Sequence, residues 1–192
     1  YSSANTMQMQ MQMATTSDYQ SPVLDLARTH TIYVDNIVNT NTTNETAATN
    51  GALYNKYISK TVTLAEGQDA EDIRVVLTSY RPPTTDVKVY AKILHAEDAD
   101  PFASRPWIEL EPTESSSTAY SSLSDRNDFI EYQYGFPAAN LTGALGQVQY
   151  TNLAGTTTFT GYKYYAIKVG LTAENSAVVP RVADLQVVNL QI

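Results

Sequence analysis

The side chains able to do strong chemistry are few in this 192-residue chain. Its only imidazoles are His30 and His95, and it has no cysteine. A zinc site would have to borrow carboxylates, because tetrahedral zinc favours nitrogen and sulfur donors. The simpler reading makes His30 a strand residue and His95 a turn residue. Without cysteine, disulfide staples, thiol nucleophiles and iron–sulfur ligation are excluded together. Glu97, Asp98 and Asp100 are the hard oxygen donors that calcium takes, but they lack the glycine and terminal glutamate spacing of a calcium-binding helix loop. With the Asp100-Pro101 step they read as a solvated acidic turn. No glycine-flanked serine elbow occurs, and no glycine-rich loop precedes a lysine and a serine or threonine. Glu109, Glu111 and Glu131 are the residue type a glycosidase pairs across a cleft. Their alternation with apolar neighbours favours solvated strand faces. The expectation is a protein that is not an enzyme and has no cofactor and no metal.

Tyrosine is the other signal, with 14 against 4 phenylalanines and 1 tryptophan. Its ring packs while its hydroxyl keeps a polar partner, which suits half-buried or partner-facing surfaces. Tyr132, Tyr134, Tyr162, Tyr164 and Tyr165 could stack on sugars or pack between subunits, and the subunit interface is the preferred reading. A second candidate interface is the row Met7, Met9, Met11 and Met13, which alternates with Gln8, Gln10 and Gln12. A helix would scatter those methionines around its cylinder, so a strand over 6–15 is expected. Flexible thioethers adapt to a neighbouring surface, and an edge strand leaves donors free for another protein's strand.

The elements that must position these residues are nearly all strands. Residues 73–94 show it most plainly: Ile73, Val75 and Leu77 share one face, and Val87, Val89, Ala91 and Ile93 share another. Pro82 and Pro83 break the two runs, since neither can donate to a ladder. The segment reads as an antiparallel hairpin with a long loop. Further strands are expected at 23–26, 29–38, 57–64, 107–110, 128–136, 148–150, 159–171 and 182–192. The small polar segment 39–55 and the serine-rich segment 115–127 read as exposed loops. Asn41, Asn44 and Asn140 match the glycosylation acceptor pattern, a match that Thr/Asn-rich loops also produce by chance.

Eight or nine strands and no convincing helix make an all-β antiparallel sandwich, a jelly roll or related Greek key, over 1–192 as one domain. A net charge of −8 argues against nucleic-acid backbones and anionic membranes, which want a basic face. No apolar run approaches the roughly 20 residues of a membrane span. The chain opens at Tyr1, so the numbered residues are expected to be a portion of something longer.

Four stretches carry a resemblance: SPVLDLART at 21–29, YISKTVTLAEGQDAEDIRVVLTSYRPPTTDVKVYAKIL at 57–94, DPFASRPWIEL at 100–110, and GYKYYAIKVGLTAENSAVVPRVADLQVV at 161–188. Together they cover roughly two thirds of the chain, and in their order they resemble a module of virion structural proteins of tailed bacteriophages, especially T4-like phages of cyanobacteria. In that family large tail-fibre or baseplate-associated polypeptides carry it. The resemblance implies a non-catalytic, multi-copy component of the virion tail, whose partners are other tail proteins in a symmetric assembly. A carbohydrate-binding or receptor-binding module of a tail fibre, with a glycan as partner, is the alternative.

Overall fold

The computed structural model describes residues 10–25 and 36–192. The chain forms two compact units, Tyr1–Val34 and Asp35–Ile192. In the first, residues 10–25 form no strand, and Met11 and Met13 are 51% and 52% exposed. The strand expected over 6–15 is therefore not formed at 10–15. At its end the Thr15 and Ser17 hydroxyls accept the backbone N–H groups of Ser17 and Tyr19, local bonds that compete with a ladder. Met7, Met9, His30 and most of the strand expected over 29–38 lie outside the described residues.

The second unit holds eleven strands among the described residues: β1 (Asn55–Ile58), β2 (Val62–Thr63), β3 (Asp72–Tyr80), β4 (Thr85–Leu94), β5 (Ile108–Glu109), β6 (Glu111–Pro112), β7 (Ile130–Gly135), β8 (Gln149–Thr151), β9 (Thr158–Thr160), β10 (Tyr164–Ala173) and β11 (Arg181–Leu190). One sheet runs β1-β10-β4-β5, with β2 also on β10, and the other runs β11-β3-β7-β6. All their strand pairs are antiparallel. β8 and β9 form a separate ribbon.

The hairpin expected over 73–94 is corrected. Both of its strands form, but β3 pairs with β11 and β7 while β4 pairs with β10 and β5. Alternation gives each strand one apolar face and cannot say whether the two lie side by side or face to face. Here Ile73, Val75 and Leu77 meet Val87, Val89, Ala91 and Ile93 in one core, every one of them at most 2% exposed. Consecutive strands β3 and β4 lie against consecutive strands β11 and β10, one ladder in each sheet. This nesting of one two-stranded ribbon on another is Greek-key, jelly-roll topology.

The single strand expected over 159–171 is divided into β9 and β10 at Gly161. Gly161 has φ +74°, and a Cβ there would sit 2.8 Å from the Ala70 carbonyl oxygen. No L side chain fits that approach without displacing backbone.

The link from β3 to β4 is a tight corner. The Thr85 N–H donates to the Pro82 carbonyl at 3.2 Å, with Pro83 and Thr84 as the central residues and Thr84 at φ +68°. Proline followed by a positive φ is the type II pattern, which prefers glycine at the second position. A β-branched threonine there is strained. Thr84→Gly is expected to raise unfolding stability by about 1 kcal/mol, and Pro83→Gly to lower it by a similar amount through unfolded-chain entropy. Urea midpoints of the two variants check both signs.

Candidate functional site

Strands β4 and β10 are buried on both faces. Their inner faces build the core, while their outer faces carry lysine. Register places Lys168 beside Tyr90, Ala166 beside Lys92, and Gly170 between Lys88 and Lys56, so Lys56, Lys88, Lys92 and Lys168 share the outer face. Lys92 and Lys168 are only 4% and 3% exposed. Ammonium groups so placed need acceptors, or burial would strip their charge.

The segment 39–55 supplies them. Glu45, 1% exposed, accepts from Lys168 Nζ at 2.8 Å and Lys56 Nζ at 3.1 Å, and its Oε1 also accepts the Leu53 N–H at 2.7 Å. Lys168 Nζ donates as well to the Glu45 carbonyl oxygen. Lys92 Nζ donates to the Ala103 carbonyl at 3.0 Å and lies 4.9 Å from the Trp107 ring centroid. Lys168 Nζ lies 4.5 Å from the Tyr90 ring and 4.9 Å from Trp107, so the aromatic faces share in holding the charge. Gly51 allows the fold of the segment, since a Cβ there would come within 2.3 Å of the Glu45 carboxyl.

Burial pushes the Glu45 carboxyl up, but the hydrogen bonds from Lys168, the Leu53 N–H and Lys56 outweigh it and hold the group below its ordinary value of 4.5. Burial pulls Lys168 down, and Glu45 only partly offsets that. The arrangement is a clamp that fastens 39–55 to the sheet. The expectation of a freely exposed loop is corrected in this respect, as most of the segment is exposed while Glu45 and Leu53 are buried. The loop 115–127 behaves alike. Its Ser121, 2% exposed, exchanges hydrogen bonds with the backbone N–H and C=O of Arg81.

The tyrosines proposed for an interface are corrected in part. Tyr132, Tyr134 and Tyr162 are 1%, 4% and 0% exposed and belong to the main core. Side chains so covered by their own chain offer a partner nothing. Their hydroxyls donate to the Ala119 carbonyl, the Val87 carbonyl and Asn189 Oδ1 respectively. Burial pushes Tyr134 up to about 12 and raises Tyr162 further. Tyr164 is half-buried at the start of β10, and Tyr165 lies in the core.

The acidic turn is internally paired. Asp100 Oδ2 accepts from Arg105 at 3.1 Å, and Asp98 Oδ2 accepts the Tyr150 hydroxyl at 3.0 Å. The His95 backbone N–H donates to that same hydroxyl, while its ring stacks on Phe159 at 5.1 Å between centroids. No metal-binding cluster of three or more acidic, histidine or cysteine residues occurs among the described residues. Glu109 pairs with Lys88 at 3.3 Å, and Glu131 accepts from Gln133. Glu109 and Glu111 share a shallow cleft with Trp107 and Asn140, and Glu131 is not part of it. No protein-family model, curated protein or solved structure matches this chain.

Glu45 and its lysines escaped the sequence reading because Lys88, Tyr90 and Lys92 alternate like a solvent face. The usable signal was Lys168, set among apolar residues of both parities in a strand with no polar side.

Replacing Glu45 by glutamine leaves two ammonium groups without their counter-charge and is expected to cost about 3 kcal/mol at neutral pH. The folded carboxyl is depressed, so its contribution is present above 4.5 and is lost as pH falls through the lower folded value. The difference in urea midpoint between wild type and Glu45→Gln should therefore shrink in acid. For the acidic turn, millimolar EDTA is expected to leave the melting temperature within about 2 °C, measured by thermal denaturation. A larger drop that calcium reverses and magnesium does not would identify a calcium site there.

Proposed function

We propose that the chain is a non-catalytic structural component of a phage tail that joins neighbouring proteins at the baseplate or fibre attachment. The supporting observation is where the resembling stretches fall. The stretches at 57–94 and 161–188 contain the long strands β3, β4 and β10 and most of β11, the nested ribbons that build both sheets. The stretch at 100–110 contains Trp107 and Ala103, which meet the lysine-bearing outer face. The resemblance thus rides on the residues that make the fold rather than on the polar loops 39–55 and 115–127.

A rigid sandwich with its long loops fastened down suits a part that transmits position between neighbours, since little conformational freedom is left for a partner to order. The sugar-stacking alternative drew on an exposed tyrosine row, and Tyr132, Tyr134 and Tyr162 are turned into the core instead. On this reading the protein sits in the virion tail in several symmetric copies, with other tail proteins as partners.

Mass spectrometry of purified particles is expected to find the chain at a fixed copy number. A density map of the intact tail should place the sandwich between two other polypeptides. Its absence from particles, or recovery only from infected-cell lysate, rejects the reading.

A further inference from the structure

The clamp that fastens 39–55 to the sheet has a reactive step inside it. Asn50-Gly51 is the only asparagine–glycine step in the chain. Asn50 is exposed and takes φ +68°, a left-handed conformation that asparagine tolerates better than most side-chain-bearing residues. Neither its side-chain amide nor the Gly51 N–H makes a hydrogen bond among the described residues. Gly51 has no Cβ to shield that nitrogen. A backbone nitrogen next to a side-chain amide is an intramolecular nucleophile, and proximity spares the reaction most of the entropy of bringing two groups together.

We propose that Asn50 is a deamidation site, converted through a cyclic imide, and that its isoaspartyl product undoes the Glu45 clamp. The Gly51 nitrogen attacks Asn50 Cγ, the Cγ–Nδ2 bond breaks, and ammonia leaves with the Gly51 amide proton. Water then opens the ring. Opening at Cγ gives aspartate with the backbone path intact. Opening at the main-chain carbonyl carbon gives isoaspartate, in which the chain runs through Cγ and is longer by one carbon. Loss of ammonia makes the change one-way, so it accumulates with age.

Gly51 has no room for the longer link. Its carbonyl accepts Lys56 Nζ at 2.8 Å, and even a Cβ on it would come within 2.3 Å of the Glu45 carboxyl. The next two residues are held as well: the Ala52 N–H donates to the Thr43 carbonyl at 3.0 Å, and the Leu53 N–H to Glu45 Oε1 at 2.7 Å. An added backbone carbon therefore displaces Gly51 and with it the bonds that satisfy Glu45. Lys168 and Lys56 then lose their counter-charge, and the segment lifts. Aspartate at position 50 can hold the same φ and leaves these contacts in place.

The chain carries its own probe of this opening. Trp107 is the only tryptophan, its backbone N–H donates to the Thr46 carbonyl at 2.8 Å, and it is 8% exposed. The test ages the purified full chain in mildly alkaline buffer. Samples are followed by peptide mass spectrometry, an isoaspartyl methyltransferase assay and acrylamide quenching of Trp107 fluorescence. Conversion is expected at Asn50 before Asn175, which precedes a serine and whose Oδ1 already accepts the Ala177 N–H. The quenching constant should rise at least about twofold in step with isoaspartate, as local opening uncovers the indole. Asn50→Gly keeps the left-handed φ without the reacting amide, so ageing should change neither readout. Freshly purified Asn50→Asp should quench like fresh wild type, which separates charge from backbone length.

An Asn50 still intact after Asn175 has converted overturns the proposal. Isoaspartate at position 50 with unchanged quenching also overturns it, as does an equal rise in aged Asn50→Gly. If fresh Asn50→Asp already quenches like aged wild type, the added charge opens the clamp and the isoaspartyl step is rejected.

Discussion

The double burial of β4 and β10 is the constraint from which most of this structure follows. A sheet buried on one face can leave the other to water, but two central strands covered on both faces need a layer on each side. On the inner side that layer is β3 with its neighbours, which is why the chain crosses between sheets at Pro82–Thr85 instead of turning back on itself. On the outer side no sheet is present among the described residues, and the segment 39–55 with Trp107 serves as the cover. The cover is thin and polar, so charge fastens it where a helix would have been fastened by apolar contact.

That choice has an energetic consequence. A buried ion pair gains little over a well-packed apolar pair, because desolvation takes back much of the Coulomb attraction. Its strength lies in direction: Glu45 satisfies two ammonium groups and a backbone N–H at once, and few loop conformations achieve that. Tyr90 shows the opposite case. Its hydroxyl is buried with no hydrogen-bond partner among the described residues, and burial raises its pKa, so it stays neutral beneath the cover. The outer layer thus holds a satisfied acid beside an unsatisfied phenol, which concentrates its specificity in one residue.

The strands were legible because alternation reports burial directly. Ile73, Val75 and Leu77 and Val87, Val89, Ala91 and Ile93 face the core as their spacing implies, and Tyr132, Tyr134 and Phe136 alternate into the same core. Pairing was not legible. The same period of two fits a hairpin and a face-to-face arch, and only contacts distant in sequence, such as Lys168 with Tyr90, separate them. The tyrosines were misplaced for a related reason, since a phenol whose hydroxyl reaches a backbone carbonyl is as comfortable in a core as at an interface. Glu45 was hidden by composition: a single acid in a run of threonine and asparagine looks solvated until the lysines beneath it are known.

The two flanks of the sandwich can then be compared on equal terms. Along the outer face of β4 and β10 the chain spends a segment of its own to cover polar groups, and every oxygen of the Glu45 side chain finds a donor. On the side beside β11 the inward-facing Tyr57 and Val62 are exposed, and Asp69 Oδ1 finds no donor among the described residues. A sandwich that leaves core-facing tyrosine and valine in water forgoes part of the burial that drives folding, roughly 25 cal/mol for each Å² of apolar surface left exposed. Where the chain completes its own layer, it does so with specific charge pairing.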